Sequence, residues 1–242
     1  MVDVLTLRKL LSCLPLVWLT LLSCGCGSFG KDKQTDFLKP FAALGKQNRG
    51  FYSRPMPSEY SLCVETAKTV ADQGHAVEAI KLYERAESVD PTATPLDSNL
   101  APLYASTGNY SAAIKRYQRC IEASPQDVEL CNNFAWTLME AGQFTAAAAE
   151  ANRGLKIDGE NTRLQGTLAL VHYRQGDQVK ALRGFEKAHG PVAAHHNLSL
   201  LEIDSGNIDA AKAHLQIANQ AIEPNPKAKV LLTALEMQTS RN

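Results

Sequence analysis

Five glycines fall in step along this chain. Gly74, Gly108, Gly142, Gly176 and Gly206 are separated by 34, 34, 34 and 30 residues. Five places beyond each stands an alanine: Ala79, Ala113, Ala147, Ala181 and Ala211. Four further on comes a bulky residue in four of the five cases, Tyr83, Tyr117, Phe185 and Leu215, with Ala151 as the exception. Three beyond that is a small residue: Ala86, Cys120, Gly154, Ala188 and Ala218. A fixed period of this length marks an array of supersecondary units, each burying its apolar face only against its neighbours. The spacing has a mechanical reading. Glycine accepts the left-handed conformation that ends a helix. The small residues let a second helix approach closely, and the bulky one fills the gap. Pro91 and Pro125 end a second helix or begin the next connection.

This register divides the chain into units 60–93, 94–127, 128–161, 162–191 and 192–225, followed by a terminal segment 226–240. The pattern resembles the tetratricopeptide repeat (TPR), whose 34 residues form a helix, a turn and a helix. The resemblance implies an all-α, right-handed helical solenoid of about five units over residues 59–240. The first-helix signature is degenerate. Its fourth position reads Cys63, Asp97, Cys131, Gln165 and His195, and Pro102 falls inside the second unit's first helix, where it should kink or break it. Four residues are missing near His189-Gly190-Pro191, about one helical turn, so a tighter corner is expected there. In 226–240, Val230, Leu231, Ala234, Leu235 and Gln238 form a stripe that predicts a final capping helix.

Composition narrows the function. The chain has 242 residues, 45% hydrophobic and 21% charged, the profile of a globular protein rather than a disordered one. Lys and Arg number 25, as do Asp and Glu. A balanced chain argues against nucleic acid, which is bound through clustered cations.

The N-terminus reads as an address. Arg8 and Lys9 precede the uncharged run Leu10–Leu22, 13 residues long. A bilayer span needs about 20 residues, so this is the length of a signal-peptide apolar region instead. Leu21-Leu22-Ser23-Cys24 resembles the bacterial lipobox, which implies cleavage after residue 23 and lipid on Cys24, including palmitate-like acyl chains that together anchor stably. A rival cut lies before Cys26, whose −3 residue is Ser23, and an ordinary cleaved leader is the plainer alternative. Gly25, where an Asp would retain the protein in the inner membrane, points to the outer membrane, facing the periplasm. Residues 1–23 are thus the leader and 24–58 a lipid-anchored tether, rich in Gly and Pro and mildly basic.

Sites of chemistry are few. Cys63, Cys120 and Cys131 fall in packing slots, although Cys120 and Cys131 join a second helix to the next first helix and leave a disulfide open. His189, His195 and His196 cluster, but without the spacing of a metal site. There is no G-x-S-x-G, no P-loop and no dinucleotide fingerprint, so neither an enzyme nor a cofactor is expected.

The repeat resemblance supplies the candidate site. TPR arrays line a concave groove with residues of their first helices. At the sixth position this chain carries Asn99, Asn133, Thr167 and Asn197. Asparagine both donates and accepts, so a ladder of them can hold a peptide backbone. Around it lie Asn132, Trp136, Arg163, Tyr173, Arg174 and His196, of the types that binding hot spots use. The clamp of the chaperone-binding TPRs for acidic C-termini is matched only by Asn133 and Arg163, with Ser98, Pro102 and Thr167 in its other slots. The resemblance therefore implies a protein or peptide partner, no nucleic acid, and a role like that of TPR lipoproteins in pilus or secretion-machine assembly. A structural adaptor for cell-wall or polysaccharide enzymes, and a metal- or small-molecule-binding periplasmic protein, stay open beside it.

Overall fold

The computed structural model of the protein describes residues 57–221 and 225–239. The leader, Cys24 and all but the last two residues of the tether lie outside the described residues. Those described form eleven helices and no strand: α1 (Glu59–Asp72), α2 (Ala76–Val89), α3 (Asp97–Ser106), α4 (Tyr110–Ala123), α5 (Val128–Glu140), α6 (Phe144–Ile157), α7 (Thr162–Arg174), α8 (Gln178–His189), α9 (Pro191–Asp204), α10 (Ile208–Gln220) and α11 (Pro226–Thr239). Odd-numbered helices up to α9 are the first of each unit and even-numbered ones the second. Each pair packs on itself and on the next, so the chain is an all-α solenoid.

The glycine column does one job five times. Every one of these glycines has φ between 75° and 85°. After α1, the amide of Gly74 donates to the carbonyl of Ala71 and that of His75 to Val70. The same pair of bonds recurs at Gly108–Asn109, Gly142–Gln143, Gly176–Asp177 and Gly206–Asn207. This is the Schellman turn, which satisfies the last carbonyls of a helix and needs a left-handed residue. The next residue then starts the second helix. Asn109 and Asp177 accept from the amides of Ala112 and Lys180. One residue can therefore stop a helix and its neighbour begin another, and the hairpin angle repeats.

The packing columns fall inside. All five alanines of the column are fully buried, as are Ala86, Ala151 and Ala218, and Tyr83, Tyr117, Phe185 and Leu215 are buried beside them. Tyr117 stacks on Phe134 at 5.6 Å between ring centres, joining the second unit to the third. At Gly154 a Cβ would lie 2.6 Å from Leu164 Cδ1 and 2.9 Å from Cys131 Cβ, so any larger residue in this slot would force its neighbours to shift. Cys120 is half-buried rather than buried, and Cys63, Cys120 and Cys131 are all free thiols.

Three expectations about local structure meet the coordinates. Pro102 does not break its helix: α3 runs through it, although at 10 residues it is the shortest of the eleven. Pro102 is exposed, so the carbonyl of Ser98 that loses its partner faces water. The corner at Gly190 is tight. This single residue, with φ 82°, connects α8 to α9, and Pro191 opens the new helix. The stripe on α11 is rotated. Ala228, Leu232 and Leu235 are buried, whereas Val230 is 72% exposed and Ala234 also faces out. Among the described residues α11 packs chiefly on α10, so its buried strip is narrow and the phase of a wider apolar stripe does not locate it.

Candidate functional site

Among the first helices, α5 touches α7 directly. Their shared face carries the residues predicted for a groove. Asn133 is exposed, and its backbone carbonyl accepts from Thr137 Oγ1 at 2.9 Å. One turn on, Trp136 is 46% exposed, large for an indole. Asn99 is exposed and reaches Tyr83 Oη at 3.4 Å, and Asn197 is half-buried.

Two members of the set hold the solenoid together. Asn132 is buried, and its Oδ1 accepts from the buried Thr167 Oγ1 at 2.8 Å. That bond ties α5 to α7 across a repeat boundary, so the oxygen of Asn132 is committed to the fold rather than to a ligand. It also removes Thr167 from the ladder, which is interrupted between Asn133 and Asn197. Tyr173, half-buried, pairs its hydroxyl with Ser205 Oγ at 3.1 Å and so ties α7 to the end of α9; burial is the main reason its phenol titrates above the ordinary value.

The cations stand at the edge. Arg163 pairs with Glu129 at 2.8 Å, both well exposed, so the pair contributes about 0–1 kcal/mol and can open for a ligand. Arg174 is exposed and lines an open cleft of about 740 Å³ with Gly142, Phe144 and Gln175, at the turn between α5 and α6. His196 is half-buried on α9, and its carbonyl accepts from Ser199 Oγ at 2.6 Å. Asn133, Trp136, Arg163 and Arg174 thus lie on or beside the α5–α7 face, whereas Asn99 and Asn197 belong to the units on either side.

The helix periods, the five Schellman turns and the alanine columns together give this array its type. A tetratricopeptide-repeat family model matches residues 70–130 and 104–171. Residues 70–171 of the chain carry tetratricopeptide repeats. Solved structures agree on the fold. A TPR protein from Parabacteroides merdae ATCC 43184 shares 19% identity over 76% of each chain, with a TM-score of 0.55. A MamA structure, the RS-1 ArsTM double mutant, shares 15% over 78% of this chain and all of that one, at 0.51. The thermophilic TPR protein TTC0263 from Thermus thermophilus shares 15% over 74% and 99%, at 0.50. At such identities the likeness concerns fold alone. No curated protein sequence matches the chain. TPR arrays are generally scaffolds that bind protein partners, and the fold suggests that class of function.

A second set of TPR columns escaped sequence reasoning. Unit position 4 on the first helix faces unit position 23 on the second, 19 residues later. In the second unit Asp97 meets Arg116 at 2.9 Å. In the fifth, His195 Nδ1 meets His214 Nδ1 at 2.9 Å. In the third, Cys131 and Glu150 are bridged by Arg153, whose guanidinium lies 3.0 Å from Cys131 Sγ and 2.6 Å from Glu150 Oε1. Position 26 is basic in the first four units: Arg85, Arg119, Arg153 and Lys187. Aligning the units and reading charge down each column would have exposed both sets. Glu202 was also missed. It is buried, and Gln178 and Asn207 donate to its two oxygens at 3.2 and 2.8 Å, which satisfies a charge otherwise costly to bury. Among the described residues no three His, Cys, Asp or Glu side chains come together as a metal site.

Proposed function

We propose that this TPR chain is a lipid-anchored, non-catalytic scaffold that holds an extended peptide of a partner protein on the α5–α7 face. Trp136 is the observation that carries the reading. A half-exposed indole between an open asparagine and a surface arginine, on a face that the fold itself leaves uncovered, has the composition of a binding hot spot. Asn133 then pairs with the peptide backbone, and Asn99 and Asn197 extend that contact along the array. Arg163 and Arg174 favour an acidic or C-terminal segment.

The anchor part of the proposal rests on Leu21-Leu22-Ser23-Cys24. Lipid on Cys24 would tether the array through residues 25–58 to the outer membrane, facing the periplasm. A place in pilus or secretion-machine assembly follows from that combination of anchor and array. Cys24→Ser is expected to leave an unprocessed or soluble form; unchanged membrane fractionation and mobility would reject the anchor.

A photocrosslinking residue placed at position 136 tests the groove. In envelope preparations it should capture one partner that the same probe at the exposed position 115 does not. With that partner purified, Trp136→Ala should weaken binding by about 2 kcal/mol and Asn133→Ala by about 0.5–1.5 kcal/mol, with Lys115→Ala neutral and circular dichroism unchanged in all three. Full binding by a folded Trp136→Ala protein would place the contact elsewhere.

A further inference from the structure

The rung between unit positions 4 and 23 is empty in the fourth unit. The residue opposite Gln165 is Gly184, so no side chain crosses. Gln165 turns away and donates from Nε2 to the carbonyl of Gly159 at 2.7 Å. Gly184 packs directly on Ala169, and it lines with Gln165 a cavity of about 320 Å³ between α6, α7 and α8. Leu155, Leu168 and Ala169 make its floor, and Lys180, Arg183 and Lys187 stand at its rim. Spaced i, i+3 and i+7, these cations lie along one face of α8.

Their charge is poorly answered within the chain. In the other units the basic residue at position 26 meets a carboxylate: Arg85 with Glu59, Arg119 with Asp97, Arg153 with Glu150. Among the described residues Lys187 has only the carbonyl of Gly159, at 3.4 Å. Lys180 pairs at the surface with Asp177, its neighbour one turn back, and Arg183 makes no ion pair with any described residue. The cavity therefore combines an apolar floor with a cationic rim whose one ion pair among the described residues is Lys180–Asp177.

We propose that this cavity docks one large apolar side chain of a protein partner, flanked by acidic residues. Its volume is at the lower end for ligand sites, enough for a single Phe or Leu side chain and too small for an extended acyl chain. The chain's own tether is the wrong occupant. Residues 25–58 carry six Lys and Arg against Asp32 and Asp36, the same sign as the rim. The site is also separate from the groove. Gln165, Leu168 and His172 lie about half a turn round α7 from Arg163, Thr167 and Arg174, so the two contacts can be made at once.

The probe is the capped pentapeptide EDFDE, added to the ¹⁵N-labelled full chain and followed by amide chemical shifts. Saturable shifts should gather at Leu155, at 168–172 and at 180–187. The peptides EDADE and KKFKK should each bind at least about tenfold more weakly, because one lacks the anchor and the other the charge. Arg183→Glu, at an exposed position, should weaken EDFDE by about tenfold with unchanged circular dichroism, whereas Trp136→Ala should leave it within twofold of the parent. The proposal falls if no saturable shift occurs at these amides, if KKFKK or EDADE binds equally well, or if Trp136→Ala abolishes binding. The last result would move the peptide into the groove, and loss of groove binding alone would leave the cavity standing.

Discussion

The second and fourth units share a backbone and differ in what joins their two helices. In the second, Asp97 is buried between Arg116 and Arg119, and Arg116 reaches on to Glu87 on α2 at 2.6 Å. The hydrogen bond from Arg119 is the chief cause that holds the Asp97 carboxyl below its ordinary value, against the effect of burial, and Arg116 adds to it. Arg116 is in turn held firmly protonated, mainly by Glu87. In the fourth unit the same positions hold Gln165 and Gly184, and a cavity replaces the network. The glycine turn and the buried alanines are alike in both. The rung is therefore not what makes a unit fold, and it is free to carry chemistry that differs from one unit to the next.

Breaking the closed rung should have the largest effect. Asp97→Ala leaves Arg119 without its partner and Arg116 with only Glu87. Breaking a buried ion pair typically costs about 3–5 kcal/mol, and because Arg119 is half exposed we expect about 2–3 kcal/mol from urea unfolding. Adding Arg116→Leu should deepen the loss, because the part-buried Glu87 then loses the guanidinium that answers it. A loss under about 0.5 kcal/mol for the single variant would mean that the network is a surface feature with no structural role.

Disturbing the open rung should have a smaller effect. At Gly184 a Cβ would sit 2.8 Å from Ala169 Cβ and 3.2 Å from its Cα. Overpacking costs about 1–3 kcal/mol, and replacing a mid-helix glycine returns about 1 kcal/mol. Gly184→Ala is therefore expected to destabilise by about 1 kcal/mol net. Stabilisation instead would show that α7 and α8 can separate, and that their close approach does not define the cavity.

The contrast also explains what could be read from the chain in advance. Helix count, turn positions and core columns were legible because each rests on one residue's own property: the positive φ of Gly74 or Gly176, the absent bulk of Ala113 or Ala181. The α5–α7 face was legible in outline, since a repeat register assigns helix faces. Trp136 and Asn133 are exposed there, as the register implies. What the register cannot supply is the partner of a polar side chain. Nothing in Asn132 announces that Thr167, 35 residues away, will take up its oxygen. The cavity was hidden for a related reason. It lies beside a displaced side chain, Gln165, and a close helix approach at Gly184, and Gly184 alone reads as an ordinary weak helix former. On α11 the stripe of Val230 and Ala234 misled because both are exposed, on the side away from the buried Ala228, Leu232 and Leu235.

The fifth unit has a third version of the rung, and it gives the smallest effect. His195 and His214 meet through their Nδ1 atoms at 2.9 Å, so one ring must donate a proton and the other accept with a bare lone pair. Burial is the main cause that draws His214 below its ordinary value near 6.5; the charge of His195 lowers it further, and Glu202 opposes both. A histidine whose folded pKa lies below its unfolded one binds fewer protons when folded. Stability therefore rises with pH between the two values. Above about 6.5 both states are neutral and the dependence vanishes. As pH falls below it, the unfolded chain takes up a proton that the folded unit resists, and stability declines. Asp97, lowered from 3.8, acts in a separate window: its contribution is lost only as pH drops below that value towards its folded pKa. The measurement is the urea midpoint at about pH 5.5 against about pH 7.5, the two lying on either side of the histidine's ordinary value. The parent should unfold at lower urea in the acid sample, and His214→Gln, which cannot titrate but can still hydrogen-bond to His195, should show a smaller difference. An equal difference in the variant would remove His214 as the source. A higher midpoint at the lower pH would reverse the sign and mean that the pair is held protonated rather than neutral.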